Sequence, residues 1–168
     1  TFDCYLHIRA PFNLREFSGA TPDQARWRNE AMAPINKIYF ERTADRRLRR
    51  NLCQYPTDAS AQEAGMSLSE YEQFVYNACK LFHDDPQAAW LDVRASQQRI
   101  VDHLNACSTV RYVTNGTDIS FSTKGRTWMN SDGQTNMPSG EVYTSPVEDS
   151  INGNIHFSLP CIYQGAEV

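Results

Sequence analysis

From Phe2 to Arg9 apolar and polar side chains alternate with period two, the pattern of a strand with one face buried, and Pro11 closes the run. Thr21-Pro22-Asp23-Gln24 then offers a cap, a proline at the first helical position and a Gln at the third. A helix is expected to start there and to end before Pro34 or bend at it, because proline removes a backbone donor. Asn51-Leu52-Cys53-Gln54-Tyr55 reads as a short strand stopped by Pro56. Ser67-Leu68-Ser69-Glu70 is a capping box, and Tyr71, Phe74, Val75, Ala78 and Phe82 follow at helical spacing. Asp85-Pro86 opens another helix, whose stripe of Ala89, Val93, Ile100 and Leu104 lasts to about Cys107.

After Cys107 the punctuation changes. Asn115-Gly116 separates Val110-Arg111-Tyr112-Val113 from Asp118-Ile119-Ser120-Phe121, a two-residue hairpin signal in which both turn positions favour positive φ. Lys124-Gly125, Asp132-Gly133 and Asn152-Gly153 read as further turns, with strands at Thr127–Met129, Val142–Thr144 and Ile155–Phe157. The expected fold class is therefore an α/β N-terminal part, strand-helix-strand-helix-helix with parallel pairing, followed by an antiparallel β segment. The division is placed near Ala106 to Thr109, giving an α/β portion over 1–107 and a β-rich portion over 108–168.

Composition narrows the class. With 168 residues and 40% hydrophobic positions the chain can bury a core, which argues against intrinsic disorder. Its apolar runs are far shorter than the roughly 20 residues of a membrane span. Sixteen basic against twenty acidic residues leave a net charge of −4. From Tyr112 onward Lys124 and Arg126 face six acids, so that stretch carries the whole imbalance and disfavours a nucleic-acid partner. The basic cluster from Arg42 to Arg50 is interrupted by Asp45 and reads as a solvated helix face or a helix end whose cations complement the carbonyl dipole. Cys4, Cys53, Cys79, Cys107 and Cys161 are too widely spaced for Cys-x-x-Cys motifs and read as reduced core thiols, which favours the cytoplasm. Thr1-Phe2-Asp3-Cys4-Tyr5 has no Met, no basic stretch and no apolar stretch, and the expectation is an internal start in a longer protein.

Candidate chemistry concentrates in Asn136-Met137-Pro138-Ser139-Gly140-Glu141-Val142-Tyr143-Thr144-Ser145-Pro146-Val147-Glu148-Asp149-Ser150. A carboxylate that follows Pro-Ser-Gly and begins a strand is held at a rigid junction, which suits a metal ligand or a catalytic acid. Glu141, Glu148 and Asp149 supply three carboxylates, the donors that hard and borderline divalent cations take. The alternative is that Glu141 caps a turn and Glu148-Asp149 forms a solvated one. His7, His83, His103 and His156 form no local metal pair, and His156 is of interest as a strand residue near the acidic segment.

The same segment resembles the motif region of the M29 family of metallo-aminopeptidases. Gln54-Tyr55-Pro56-Thr57 with Ala61-Gln62-Glu63-Ala64-Gly65-Met66-Ser67 is similar to a second stretch of that family, and the opening with Asn13-Leu14-Arg15-Glu16 also fits. The resemblance implies a cytoplasmic enzyme that removes N-terminal residues from peptides with two divalent metal ions, zinc or cobalt. It maps a metal-binding Glu onto Glu141. Family members are more than twice this long, and their other ligands lie in motifs absent here. The chain is thus expected to be an N-terminal fragment that is inactive alone and binds no metal. Its expected partners are a peptide substrate, the missing C-terminal part of the same chain and, as an option, a second copy in a homodimer. Asp58 stands where the family often has proline, a difference expected to affect only a loop.

Two other readings compete. A stand-alone binding or scaffold module would fold without metal and have its edge strands paired or blunted, whereas a fragment would expose an apolar face where the missing half packs. A glycosidase using Glu141 with Glu148 would need the two carboxylates about 5–10 Å apart across a cleft.

Overall fold

The computed structural model describes residues 2–157. The described residues fold into two compact units: 2–93 with Ser131–Gly140, and Arg94–Asn130 with 141–157.

In the first unit, β1 (Cys4–Arg9) lies parallel to β2 (Arg49–Gln54), in register from Cys4 opposite Arg49 to Arg9 opposite Gln54. A short strand, β6 (Asn136–Met137), adds to the other edge of β2, also parallel, giving the order β1-β2-β6. The expected parallel α/β opening is present, but its third strand comes from the loop after Asp132-Gly133. Asn51 draws that segment in by donating from Nδ2 to the carbonyls of Gly133 and Gln134, both at 3.2 Å.

Helix α1 (Pro22–Ala44) starts as expected, with Thr21 and Gln24 forming a reciprocal capping box. It does not stop at Pro34 but runs on to Ala44. None of its residues is buried, so water can solvate the carbonyl that proline leaves without a donor. The basic cluster forms the helix exit: Arg42 donates from Nη2 to the Phe2 carbonyl at 2.8 Å, and Arg47 pairs with Asp45 at 2.6 Å. The neighbouring Arg holds the Asp45 carboxyl below its ordinary range through that hydrogen bond.

Helix α2 (Asp58–Glu63) was not foreseen. Thr57 caps it by accepting from Ser60 N, and Asp58 is its first residue. An acid there complements the helix dipole and a proline would also suit the position, so the Asp58 difference touches a helix start and not a loop. Helix α3 (Leu68–Ala78) begins at the Ser67 capping box. Of its expected stripe only Val75 is fully buried, and Phe74 and Phe82 are exposed. Helix α4 (Pro86–Asn105) turns Gln97 and Val101 inward rather than Ile100.

In the second unit, β3 (Thr109–Thr114) and β4 (Thr117–Ser122) form the expected hairpin, with Thr114 opposite Thr117. Only Gly116 of the turn takes a positive φ, of 74°, and Asn115 does not, which corrects the expectation for both positions. Strand β8 (Asn152–Asn154) pairs antiparallel with β4, giving the order β3-β4-β8. Asn152-Gly153 is thus strand and not turn, and Ile155–Phe157 lies outside any strand. Two short strands, β5 (Met129–Ser131) and β7 (Glu141–Tyr143), make a separate two-stranded sheet. Each is shifted slightly from the expected runs at Thr127–Met129 and Val142–Thr144.

Arg111 clasps Asp118 across the hairpin with two charge-assisted hydrogen bonds, 2.8 Å from Nε and 2.6 Å from Nη2. That hydrogen bond lowers the Asp118 carboxyl below its ordinary range, and Asp118 raises Arg111 in turn. A carboxylate with a depressed folded value stabilises the fold above its unfolded value, and this is lost as pH falls through the folded one. The hairpin should therefore lose stability below about pH 4. Urea midpoints of wild type and Asp118→Asn should differ at pH 6 and draw together as pH falls below about 4, and a constant gap would contradict this.

Candidate functional site

Glu141 is the first residue of β7, as its place after Pro-Ser-Gly suggests. The approach to it is fixed by local hydrogen bonds. Ser139 donates from Oγ to the Ser131 carbonyl at 2.8 Å, and Gly140 N donates to the same carbonyl at 3.0 Å. Gly140 takes a φ of 117°, a value that disfavours any side chain there, and the Met137-Pro138 bond before it is cis.

The strand side is held by a residue that sequence reading did not single out. Gln97 donates from Nε2 to the Glu141 carbonyl at 2.7 Å and to Asn130 Oδ1 at 3.2 Å. Asn130 in turn donates to the Arg94 carbonyl at 3.1 Å. Gln97 is buried, and a buried polar group with satisfied hydrogen bonds fixes its partner's position. A signal was there: Gln97 lies four residues after Val93 and four before Val101, on the inward side of α4. The bond goes to the Glu141 main chain, so the carboxylate stays exposed and engages no hydrogen bond or ion pair among the described residues.

The other candidate carboxylates do not join it. Glu148 is taken by Arg126 at 2.7 Å, and Asp149 is exposed in the following turn. Among the described residues no group of three or more His, Cys, Asp or Glu could hold a metal ion. The solvated-turn reading thus describes Glu148. Since its side chain is 83% exposed, Glu148→Ala should cost only about 0–1 kcal/mol of stability. Chemical denaturation of the variant checks this, and a loss well above that range would contradict it.

His156 is not on a strand; its N donates to Thr117 Oγ1 at 2.8 Å and its Cβ lies close to Gly116. The four described cysteines are all free, but only Cys79 is buried and Cys4 is exposed, so most are not core thiols. Burial pushes the Cys79 thiol up. Cys161 lies outside the described residues.

A unit with a parallel sheet, and a unit of antiparallel strands in which β7 starts, after Pro-Ser-Gly, with an exposed carboxylate, define a class of fold and one donor. The family model described as thermophilic metalloprotease (M29) matches residues 1–168, and the chain belongs to that family. It is 27% identical over 132 residues to Aminopeptidase 2 of Geobacillus stearothermophilus, covering 68% of this chain and 32% of that protein. It is 28% identical over 102 residues to Aminopeptidase AmpS of Bacillus subtilis (strain 168), covering 54% of this chain and 25% of that one. Wild-type AmpT from Thermus thermophilus shares the fold at a TM-score of 0.68 and 20% identity, over 89% of this chain and 40% of that one. The chain thus spans about a third of the length of the curated relative it matches over most of its own length.

Proposed function

We propose that this chain is part of a metal-dependent aminopeptidase that releases N-terminal residues from peptides, with Glu141 as one oxygen ligand of its metal centre. The observation that carries this reading is the family match over residues 1–168. Two relatives named as aminopeptidases support the choice among peptidases.

The donor chemistry suits one coordination position. Glu141 offers a hard carboxylate oxygen that is exposed and not engaged by any described residue, on a main chain clamped by Gln97. A divalent cation such as zinc or cobalt, once bound, supplies Lewis-acid polarisation of a carbonyl and a water of lowered pKa. What this chain does is aim the carboxylate and limit its excursions. A catalytic zinc takes about three protein ligands, and the described residues hold no such group, so the remaining donors come from elsewhere in the complete enzyme. The 168-residue chain alone is then inactive. We place the enzyme in the cytoplasm, a reading supported by four described cysteines without a disulfide among them. No helix among the described residues is long and apolar enough to cross a membrane.

The test is an assay of the full-length gene product on short peptides, with the released amino acids identified by mass spectrometry. Release of N-terminal residues that stops on chelation and returns with zinc or cobalt is expected. Cleavage indifferent to chelator would sink the metal reading. No cleavage of any peptide would favour a binding module.

A further inference from the structure

We propose that Asn115-Gly116, the tip of the β3-β4 hairpin, is a site of spontaneous chemical modification, at which the Asn115 amide is lost as ammonia and an aspartyl or isoaspartyl residue is left in its place. The inference stands apart from the metal reading, since this turn holds none of the candidate metal ligands.

The chemistry is internal to the dipeptide. The main-chain nitrogen of Gly116 attacks Cγ of Asn115, and the new C–N bond closes a cyclic imide. The Cγ–Nδ2 bond breaks, and the glycine N–H proton leaves with the departing ammonia. Water then opens the ring. Attack at Cγ breaks its bond to the Gly116 nitrogen and gives an aspartyl residue. Attack at the main-chain carbonyl carbon breaks the original peptide bond, so that the chain runs through Cγ as an isoaspartyl residue. Overall water enters and ammonia leaves, with no oxidation or reduction.

Three features of the turn favour ring closure. Asn115 and Gly116 are both exposed and lie between the paired residues Thr114 and Thr117, outside either strand. The closing bond of such a turn joins its first carbonyl to its fourth N–H. The Gly116 N–H is left out of that bond, and it makes no backbone hydrogen bond to a described residue. Glycine has no Cβ to keep the preceding side chain away from its nitrogen.

Asn152-Gly153 repeats the dipeptide in the opposite setting. Its residues are exposed too, but Asn152 and Asn154 are paired with Ser120 and Asp118 of β4. Gly153 lies so close to the Asp118 carbonyl oxygen and Ile119 Cα that a Cβ does not fit. Bringing Cγ of Asn152 onto the Gly153 nitrogen turns the main chain at Asn152 and unpairs β8 from β4. The reaction there waits for the strand to open, whereas at the turn it does not.

The product changes the sheet. The Gly116 carbonyl accepts from Asn154 Nδ2 at 2.7 Å, and Thr117 Oγ1 accepts from His156 N at 2.8 Å, so the tip is tied to β8 and to the chain after it. An isoaspartyl link adds a main-chain carbon to a two-residue loop, and loop length fixes the register of a hairpin. Both products also add a negative charge to the stretch that already carries the excess of acid.

The experiment holds the full-length gene product folded in mildly alkaline buffer and maps timed digests by mass spectrometry. Methyl transfer by protein L-isoaspartate methyltransferase marks the isoaspartyl form. Conversion at Asn115 should be at least about tenfold faster than at Asn152. Methyl label is expected in the Asn115 peptide of wild type and not in that of Asn115→Gln, where ring closure needs a larger ring. In urea the two sites should convert at similar rates, because the strand that protects Asn152 is gone. No conversion at Asn115, or equal conversion at Asn152 in the folded protein, would overturn the proposal. A difference that persists unchanged in urea would also overturn it, by tracing the rates to neighbouring residues and not to the fold. Methyl acceptance needs neither metal nor peptide substrate, so failure here leaves the functional reading untouched.

Discussion

Glu141→Ala in the complete enzyme should lower metal-dependent turnover by about a thousandfold or more, the order of effect expected when several kcal/mol of metal-centred stabilisation are lost. The fold should not notice. The Glu141 carboxylate is exposed and has no partner among the described residues, and the hydrogen bond from Gln97 goes to the main-chain carbonyl, which alanine keeps. Melting of the variant should therefore match wild type to within about 0.5 kcal/mol, as for surface substitutions away from special features. Parallel measurement of peptide hydrolysis and thermal unfolding checks both halves. Activity retained at wild-type level would remove Glu141 from the metal centre. Lost activity with an equal loss of folding would make its role structural.

Gly153→Ala should be the most damaging substitution for stability in the β3-β4-β8 sheet. A Cβ built on Gly153 would sit 2.1 Å from the Asp118 carbonyl oxygen and 2.8 Å from Ile119 Cα, both backbone atoms that cannot swing aside. The φ of 129° adds strain for any L side chain. Backbone strain and overpacking together should cost about 2–5 kcal/mol. Gly125→Ala is the control: its φ is also positive, at 74°, but nothing lies within 4 Å of the added carbon, and the cost should be about 1 kcal/mol. Chemical denaturation of the two variants measures the difference. Equal midpoints would mean that β8 does not approach β4 as described.

Gly153 also shows where the sequence misleads. Asn-Gly is a strong turn signal because glycine accepts positive φ, and at Asn115-Gly116 it marks the turn of the β3-β4 hairpin. At Asn152-Gly153 the same dipeptide serves close packing of one strand on another, a purpose that depends on a strand partner, Ile119, 34 residues away. Caps are more legible, since Thr21 with Gln24 and Ser67 with Glu70 satisfy donors within their own turn. The parallel pairing of β1 and β2 was legible from the order of elements, but β6 was not. Two residues with one apolar side chain carry no periodicity, and their place depends on Asn51 reaching the carbonyls of Gly133 and Gln134.

The candidate site divides in the same way. Pro-Ser-Gly before Glu141 announced a fixed junction, and the structure supplies the bonds that fix it. Proximity in sequence suggested that Glu148 and Asp149 join Glu141. Arg126, 22 residues before Glu148, takes that carboxylate instead. Gln97 was hidden because a helix stripe is read by its apolar members, and its one buried amide breaks that pattern to hold a strand 44 residues later. The exposed apolar residues of β1 and α1 have no internal account in the described residues, as the fragment reading anticipates.

The most direct test of the account is the metal content of the purified full-length protein, measured by inductively coupled plasma mass spectrometry for wild type and Glu141→Gln. Glutamine keeps the size and loses the charge, so the fold is held constant while the ligand is weakened. The account predicts stoichiometric divalent metal in wild type and loss of at least one ion per chain in the variant. Equal metal in both proteins would contradict it.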